Sequence, residues 1–392
     1  MQTDGRGNMA AGSTIGTIFK TTTWGESHGK AIGVVVDGCP AGLELCEDDI
    51  QKLLDRRKPG QSRFSTQRSE GDRVEILSGV FEGKTTGTPI SRVVWNQDQR
   101  SKDYSQIAEC YRPGHADYTF DEKFGFRDYR GGGRSSARET IGRVAAGAIA
   151  EKFLSELGIA LKAYTKSIGP VEVDPEQMDM EETANNKLCM PDREAALRAE
   201  VYLEETMKNG DSAGGVVECV ITGLPVGIGE PVFEKLDANL AKAMLSIGAV
   251  KGFEIGDGFL AAKAQGSENN DAFRMTKEET IVKMTNHAGG VLGGMSDGSD
   301  IVIRAAFKPT PSISKEQETV NKTGENIDLV IQGRHDPVVV PRAVVVVEAM
   351  AAVTVMDALL VSMTSRMDRI RPFFDKNYMI TNGGKNYEDC NR

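Results

Sequence analysis

Runs of alternating or β-branched residues at Thr14–Thr23, Ala31–Asp37, Arg73–Val80, Ile90–Trp95, Gly215–Thr222 and Asp300–Phe307 predict strands. Two other stretches keep helical spacing over many turns. In the first, Ser136-x-x-Glu139 has the form of a capping box, and Ile141, Val144, Ala145, Ala148, Ile149 and Leu154 then recur on one face. The second begins near Pro341, a residue suited to a first helical turn, and runs through Ala343–Met363. It is apolar nearly all round, so its expected place is the centre of the fold. Shorter helices are expected at Asp48–Arg56, Arg193–Lys208 and Phe233–Ser246.

Turns and further strands separate the strands, without regular βαβ units. The expected class is therefore α+β, with antiparallel sheets and central helices. No shift in composition marks a linker, so residues 13–366 are expected to form a single domain. Residues 1–12 are polar and Gly-rich and read as a disordered or non-native extension, with Met9 as an alternative start; 367–392 read as a tail.

Apolar residues make up 39% and charged residues 27% of the chain, the balance of a globular protein with a real core. No window holds 18 uninterrupted apolar residues without charge, so no membrane partner is expected. The N-terminus lacks an apolar signal region, which points to the cytoplasm. Cys39, Cys46, Cys110, Cys189, Cys219 and Cys390 lie far apart without a C-x-x-C pair, as reduced thiols do, not disulfide or zinc frameworks. A net charge of −10 argues against nucleic acid as a partner. Yet arginines gather at Arg56, Arg57, Arg63, Arg68 and Arg73, and again at Arg112, Arg127, Arg130, Arg134, Arg138 and Arg143. A run of charge is usually a solvated face. In an acidic chain, beside Gly-rich stretches at Gly125–Gly133, Gly289–Gly298 and Asn321–Gly333, two such clusters point to a pocket for a small, multiply charged anion.

All four histidines, His28, His115, His287 and His335, fall in Gly- or Pro-containing polar stretches, and none shows metal-ligand spacing. Gly25-Glu26-Ser27-His28-Gly29 matches G-x-S-x-G, so a serine hydrolase built on Ser27 is one rival reading. Ser27, however, follows only one strand, where an elbow serine sits deep in a parallel sheet. A non-enzymatic flavin- or phosphate-binding module is another rival. Arg112-Pro113-Gly114-His115-Ala116-Asp117 sets a cation and an imidazole in a stiff turn. Gly131–Arg138 puts two guanidiniums and two hydroxyls around a helix start, where free backbone N–H groups favour anions. Gly333-Arg334-His335-Asp336 repeats the theme with a carboxylate. The residues alone describe an enzyme site for a phosphorylated ligand with histidine acid–base groups, and name no substrate.

Eight blocks in order carry a resemblance: GESHG at 25–29, DRRKPGQSR at 55–63, RPGHADYT at 112–119, GFRDYRGGGRSSARET at 125–140, GEPVFEKLDA at 229–238, NHAGGVLGGMSDG at 286–298, KPTPSI at 308–313 and GRHDPVVVPRAV at 333–344. The sequence resembles the chorismate synthases from Gly12 to about Arg366. That resemblance implies a β-α-β sandwich with long central helices between antiparallel sheets, a homotetramer, and reduced FMN bound under the substrate. It implies an anti-1,4-elimination of phosphate from 5-enolpyruvylshikimate 3-phosphate to give chorismate, the last step of the shikimate pathway. Phosphate leaves C3 and a hydrogen leaves C6, with no net redox change.

Position by position, the resemblance makes His28 the acid near the departing phosphate and His115 the group that protonates reduced flavin around N1. Asp336, with Ser27 and Ser136, becomes the relay that takes the proton through flavin N5. Arg57, Arg63, Arg112, Arg138 and Arg334 would grip anions. FMN contacts would come from Arg134, Ser135, Ser136, Gly248, Ala249, Gly293, Lys308, Pro309, Thr310, Pro311, Ser312 and Arg334. Many relatives carry Asn where this chain has Gly248, so a backbone contact is expected there. His287 and His335 are expected to be structural. Some members need flavin reduced by a separate reductase, and others also reduce it with NADPH. This chain has no G-x-G-x-x-G that follows a strand and opens a helix, so NADPH is expected at most as an electron source, with Arg57 and Arg63 available to a 2′-phosphate.

Overall fold

The computed structural model describes residues 12–60, 62–64, 71–96, 106–130, 132–331 and 336–374. Its first sheet is built from Thr14–Ile15 (β1), Lys20–Gly25 (β2), Ala31–Asp37 (β3), Val74–Ile76 (β4) and Ile90–Trp95 (β5). They lie in the order β1-β2-β3-β5-β4, and every pair is antiparallel. The second sheet takes Ala160–Ile168 (β6), Val171–Glu172 (β7), Gly215–Thr222 (β8), Val250–Ile255 (β9) and Ile301–Phe307 (β10). Its order is β9-β10-β8-β6-β7, again antiparallel. Mixed helices and antiparallel sheets make the chain α+β.

The longer helices are Glu47–Arg57 (α1), Asp117–Phe124 (α2), Thr140–Glu156 (α3), Arg193–Lys208 (α4), Leu236–Leu245 (α5) and Val340–Ser362 (α6). α3 packs on β2 and β3, α6 packs on β6 and β8, and the two helices pack on each other. Two glycines of α3 make this possible. A Cβ at Gly142 would stand 2.9 Å from the Thr23 methyl and 3.3 Å from the Gly33 carbonyl; one at Gly147 would stand 2.3 Å from Ala349 Cβ. Five residues turn roughly 140° about a helix, so one glycine meets the sheet and the other meets α6. α6 is long and apolar enough to cross a membrane, yet 78% of its most apolar window is buried within the fold. Each buried Val, Leu or Ile here contributes roughly 1.5–3 kcal/mol.

Three expectations change. The Thr14–Thr23 strand is two strands, broken where the Asp357 carboxylate on α6 accepts the backbone N–H groups of Thr17, Ile18 and Phe19 at 2.7–2.8 Å. The Arg73–Val80 strand divides into Val74–Ile76 and Val80–Phe81. The Ser136 capping box does not close. Ser136 accepts from the Arg138 N–H, while the buried Glu139 accepts instead from Thr23 Oγ1 (2.7 Å) and Arg143 Nε (2.6 Å), and the α-helix starts only at Thr140. Within the expected tail, Met367–Phe374 forms a further short helix; Cys390 lies outside the described residues.

Candidate active site

The turn from β2 into β3 carries Ser27 and His28, both buried, with Ser27 Oγ 3.1 Å from His28 Nδ1. Asn96, the residue after β5, holds this turn by donating from Nδ2 to the carbonyls of Glu26 (3.0 Å) and Gly29 (2.9 Å). The Asn96 Oδ1 in turn accepts from Arg138 Nε (3.2 Å) and Nη2 (2.8 Å). Arg138 Nη1 donates to Asp72 Oδ1 at 3.1 Å, and Arg57 Nη1 to Asp72 Oδ2 at 2.7 Å. Arg57 also donates to Thr140 Oγ1 (3.0 Å) and to the Ala137 carbonyl (3.1 Å). From the first turn of α6, Arg342 donates to the Arg57 carbonyl at 3.3 Å and to Asp336 Oδ2 at 2.6 Å.

Six stretches of the chain thus converge, and three guanidiniums meet two carboxylates among the described residues. Burial pushes Arg57 down to about 9, and the Arg342 and Arg138 charges add to it against Asp72. It remains a cation at neutral pH. Such a surplus of positive charge out of water favours an anionic ligand. Arg134 ties the Gly133–Ser135 turn to the end of β2, donating to the carbonyls of Gly25 (3.2 Å) and Thr23 (3.0 Å), and Ser135 Oγ donates to the Gly132 carbonyl at 2.7 Å. Asp128, held below the usual carboxylate range first by Arg130, also feels the charge of His28, which brings the loop after α2 beside the same turn.

His115 lies on the turn before α2. Arg112 locks that turn, gripping Asp117 through Nε and Nη2 at 2.7 Å each. Burial alone would raise Asp117, but this grip holds its carboxyl below the ordinary range. Gly114, at φ +69, lets Pro311 approach; a Cβ there would stand 2.8 Å from the Pro311 Cβ. His115 Nε2 lies 2.7 Å from Ser312 Oγ, and Lys308 Nζ donates to the Gly114 carbonyl at 2.7 Å. Lys308 N donates to the Ala249 carbonyl at 2.9 Å, so Gly248–Ala249 join this group. Burial, then the Lys251 charge, lowers the Lys308 ammonium. The two halves meet through Ser212 and Ala213. Ala213 N donates to the Pro337 carbonyl at 2.8 Å, beside Asp336, and Ser212 Oγ to the Thr310 carbonyl at 2.7 Å.

Not every expected residue comes here. Arg63 pairs at the surface with Glu200 and Glu204 of α4, at 2.9 and 2.7 Å. The Arg112 guanidinium is engaged by Asp117, whereas Arg57 does reach the cluster but, at 1% exposure, as a buried support. Gly293 sits in the hairpin at the start of α5, where Leu236 N donates to the Gly294 carbonyl, whereas Gly248 follows that helix's far end. His287 pairs with Asp257 at 2.7 Å, away from these groups in the chain of contacts. Arg334, His335 and Arg68 lie outside the described residues. The G-x-S-x-G stretch is no nucleophile elbow, because Ser27 stands in a hairpin turn between antiparallel strands and no helix follows it. Sequence reasoning missed Asp72, Asn96 and Arg342; only the nearness of Asp72 to the first arginine cluster hinted at any of them.

Comparison with known proteins fits this geometry. A sequence model of the family described as chorismate synthase matches residues 19–360. The chorismate synthase of Agathobacter rectalis is 69% identical over 366 residues, covering 93% of this chain and 100% of that protein. That of Methanosarcina barkeri is 57% identical over 355 residues, covering 89% and 96%. A crystal structure of a chorismate synthase, 33% identical, matches with a TM-score of 0.71 over 91% of this chain and 96% of its own. With a family model matched over residues 19–360 and relatives matched over nearly their whole length, the chain belongs to the chorismate synthase family.

Proposed function

We propose that this chain is a carbon–oxygen lyase that eliminates phosphate from 5-enolpyruvylshikimate 3-phosphate to give chorismate. One observation carries the reading: the Arg57–Asp72–Arg138 cluster, the His28 turn and Asp336 form one connected group. A substrate with a phosphate and two carboxylates needs such a collection of guanidiniums. Arg138 orients the anion, His28 donates a proton to the departing phosphate oxygen, and the Asp336 carboxylate receives the proton released from the ring. Ser27 and Ser136 hold hydroxyls beside that path.

The residues also fit FMN. Thr310 Oγ1 is buried without a partner among the described residues, Lys308 and Lys251 stand together, and a Cβ at Gly248 or Gly133 would meet nothing within 4 Å. Lys308–Ser312, Ala249 and the Arg134–Ser136 turn would hold it, with His115 keeping a proton at its ring against Ser312. Reduced flavin, when bound, supplies an electron transiently and recovers it, so the reaction needs no net oxidant. We read the layers as a β-α-β sandwich and residues 13–366 as one domain, supported by the α3–α6 packing between the sheets and by a continuous apolar core. We read the chain as a homotetramer; the hairpin whose Phe273, Met275 and Ile281 stand exposed supports a contact surface between copies, without fixing their number. The test is anaerobic assay with photoreduced FMN. Chorismate should form from enolpyruvylshikimate phosphate, and absence of turnover with reduced flavin overturns the assignment.

A further inference from the structure

We propose that Asp72 is a positioning residue that sets Arg138 for the substrate anion. The proposal rests on the reading of Arg138 as a substrate contact. The Asp72 side chain has 0% exposure, and each of its oxygens takes a different arginine, Arg57 at 2.7 Å and Arg138 at 3.1 Å. Its backbone stands at φ +42, a conformation that side-chain-bearing residues rarely adopt and that Asn and Asp tolerate best. Gln51, on α1, donates to its carbonyl at 3.3 Å and accepts from Val74 N at 3.1 Å, so the strained turn is braced on both sides.

The physics of the cluster gives this carboxylate more to do than neutralise. Arg57 and Arg138 are near enough for each charge to oppose the other, and the Asp72 oxygens divide between them. Arg138 is therefore held at two edges, Nη1 by Asp72 and Nε with Nη2 by Asn96. Asn96 also clamps the turn that carries His28. Asp72 thus fixes the anion contact relative to the proton donor, and a shift of the guanidinium plane disturbs binding and proton transfer together.

Asp72→Asn tests this, because Asn accepts the same backbone and keeps the shape while losing the charge. KM for enolpyruvylshikimate phosphate should rise at least tenfold and kcat fall, with the fold intact by circular dichroism. In an Arg138→Ala background, itself at least tenfold weaker in binding, Asp72→Asn should add less than about twofold, since both act through one group. Full multiplication of the two effects, or an unchanged KM in Asp72→Asn, overturns the proposal. Asp72→Glu covers the case in which Asn does not fold. It keeps the counter-charge but moves the pair, so positioning requires a raised KM, whereas a normal KM leaves Asp72 as charge neutralisation alone. Normal substrate binding by Arg138→Ala would instead refute the reading of the site on which the proposal stands.

Discussion

Gly147 of α3 and Ala349 of α6 touch where the two central helices cross, and an added Cβ at Gly147 would also lie 2.5 Å from the Ala349 Cα. On an exposed helix, Gly→Ala gains up to about 1 kcal/mol. Here the methyl group has nowhere to go but into backbone, and overpacking of this kind costs about 1–3 kcal/mol. Gly147→Ala should therefore lose net stability. Urea unfolding checks this; a midpoint at or above that of the parent would mean that the helices separate freely.

His28→Ala and His115→Ala should each lower turnover by roughly 10²–10⁴, the usual contribution of a positioned acid or base. Binding should suffer much less, because the arginines remain. Steady-state assay with photoreduced FMN separates the two effects. Near-normal turnover in either variant removes that histidine from the chemistry.

Glu151 of α3 and Glu348 of α6 face a common interior. Burial, then the Glu348 charge, pushes Glu151 up to about 8, against the pull of Arg56, and its Oε1 is buried without a partner among the described residues. Burial raises Glu348 as well, against Arg56, which donates to it at 2.5 Å, and against Lys162. The folded state thus holds a proton that the unfolded chain releases near its ordinary value of 4.5. Stability from this group is present at low pH and declines as pH rises from the unfolded value through about 8. Glu151→Gln should melt a few degrees above the parent near pH ~8.5 and match it near pH ~5. Equal melting curves at both would show that the carboxyl ionises without penalty.

The purified protein with oxidised FMN, substrate and NADPH should stay inactive until dithionite, light or a separate flavin reductase supplies electrons. Of the two arginines available to a 2′-phosphate, Arg57 is buried under Asp72 and Arg63 is paired with α4. Anaerobic absorbance in the oxidised-flavin band reads the outcome. Bleaching by NADPH alone, followed by chorismate, refutes the expectation.

Strands at Ala31–Asp37, Ile90–Trp95 and Gly215–Thr222 were legible in full because β-branched residues fill them and turn residues bound them. The central helix α6 was equally plain, since a helix apolar all round in a chain so rich in charged residues reads as the core of the fold. β6 was not legible. In Ala160–Ile168 polar Lys, Thr and Ser interrupt the run, and pairing with β8 decides its state. Glu139 misled because a cap and a tertiary partner use the same carboxylate, and Thr23 won. The site was legible as chemistry, in its histidines and arginines. Which arginine is engaged by a carboxylate elsewhere in the fold, as Arg112 is by Asp117 and Arg63 by Glu200 and Glu204, depends on tertiary pairing, and no local spacing records that.

The position of α6 in the chain bears on synthesis. Both five-stranded sheets are complete by Phe307, yet the helix that α3 and the second sheet require begins at Val340. A ribosome therefore delivers the apolar face of β8, with Val217, Cys219 and Ile221, well before its cover leaves the exit tunnel. During that interval the nascent chain carries a naked sheet surface, the kind of intermediate that aggregates or recruits chaperones. When the cover does emerge, it is a segment apolar enough to be taken for a membrane span. Docking α6 onto the waiting sheet removes both hazards in one event.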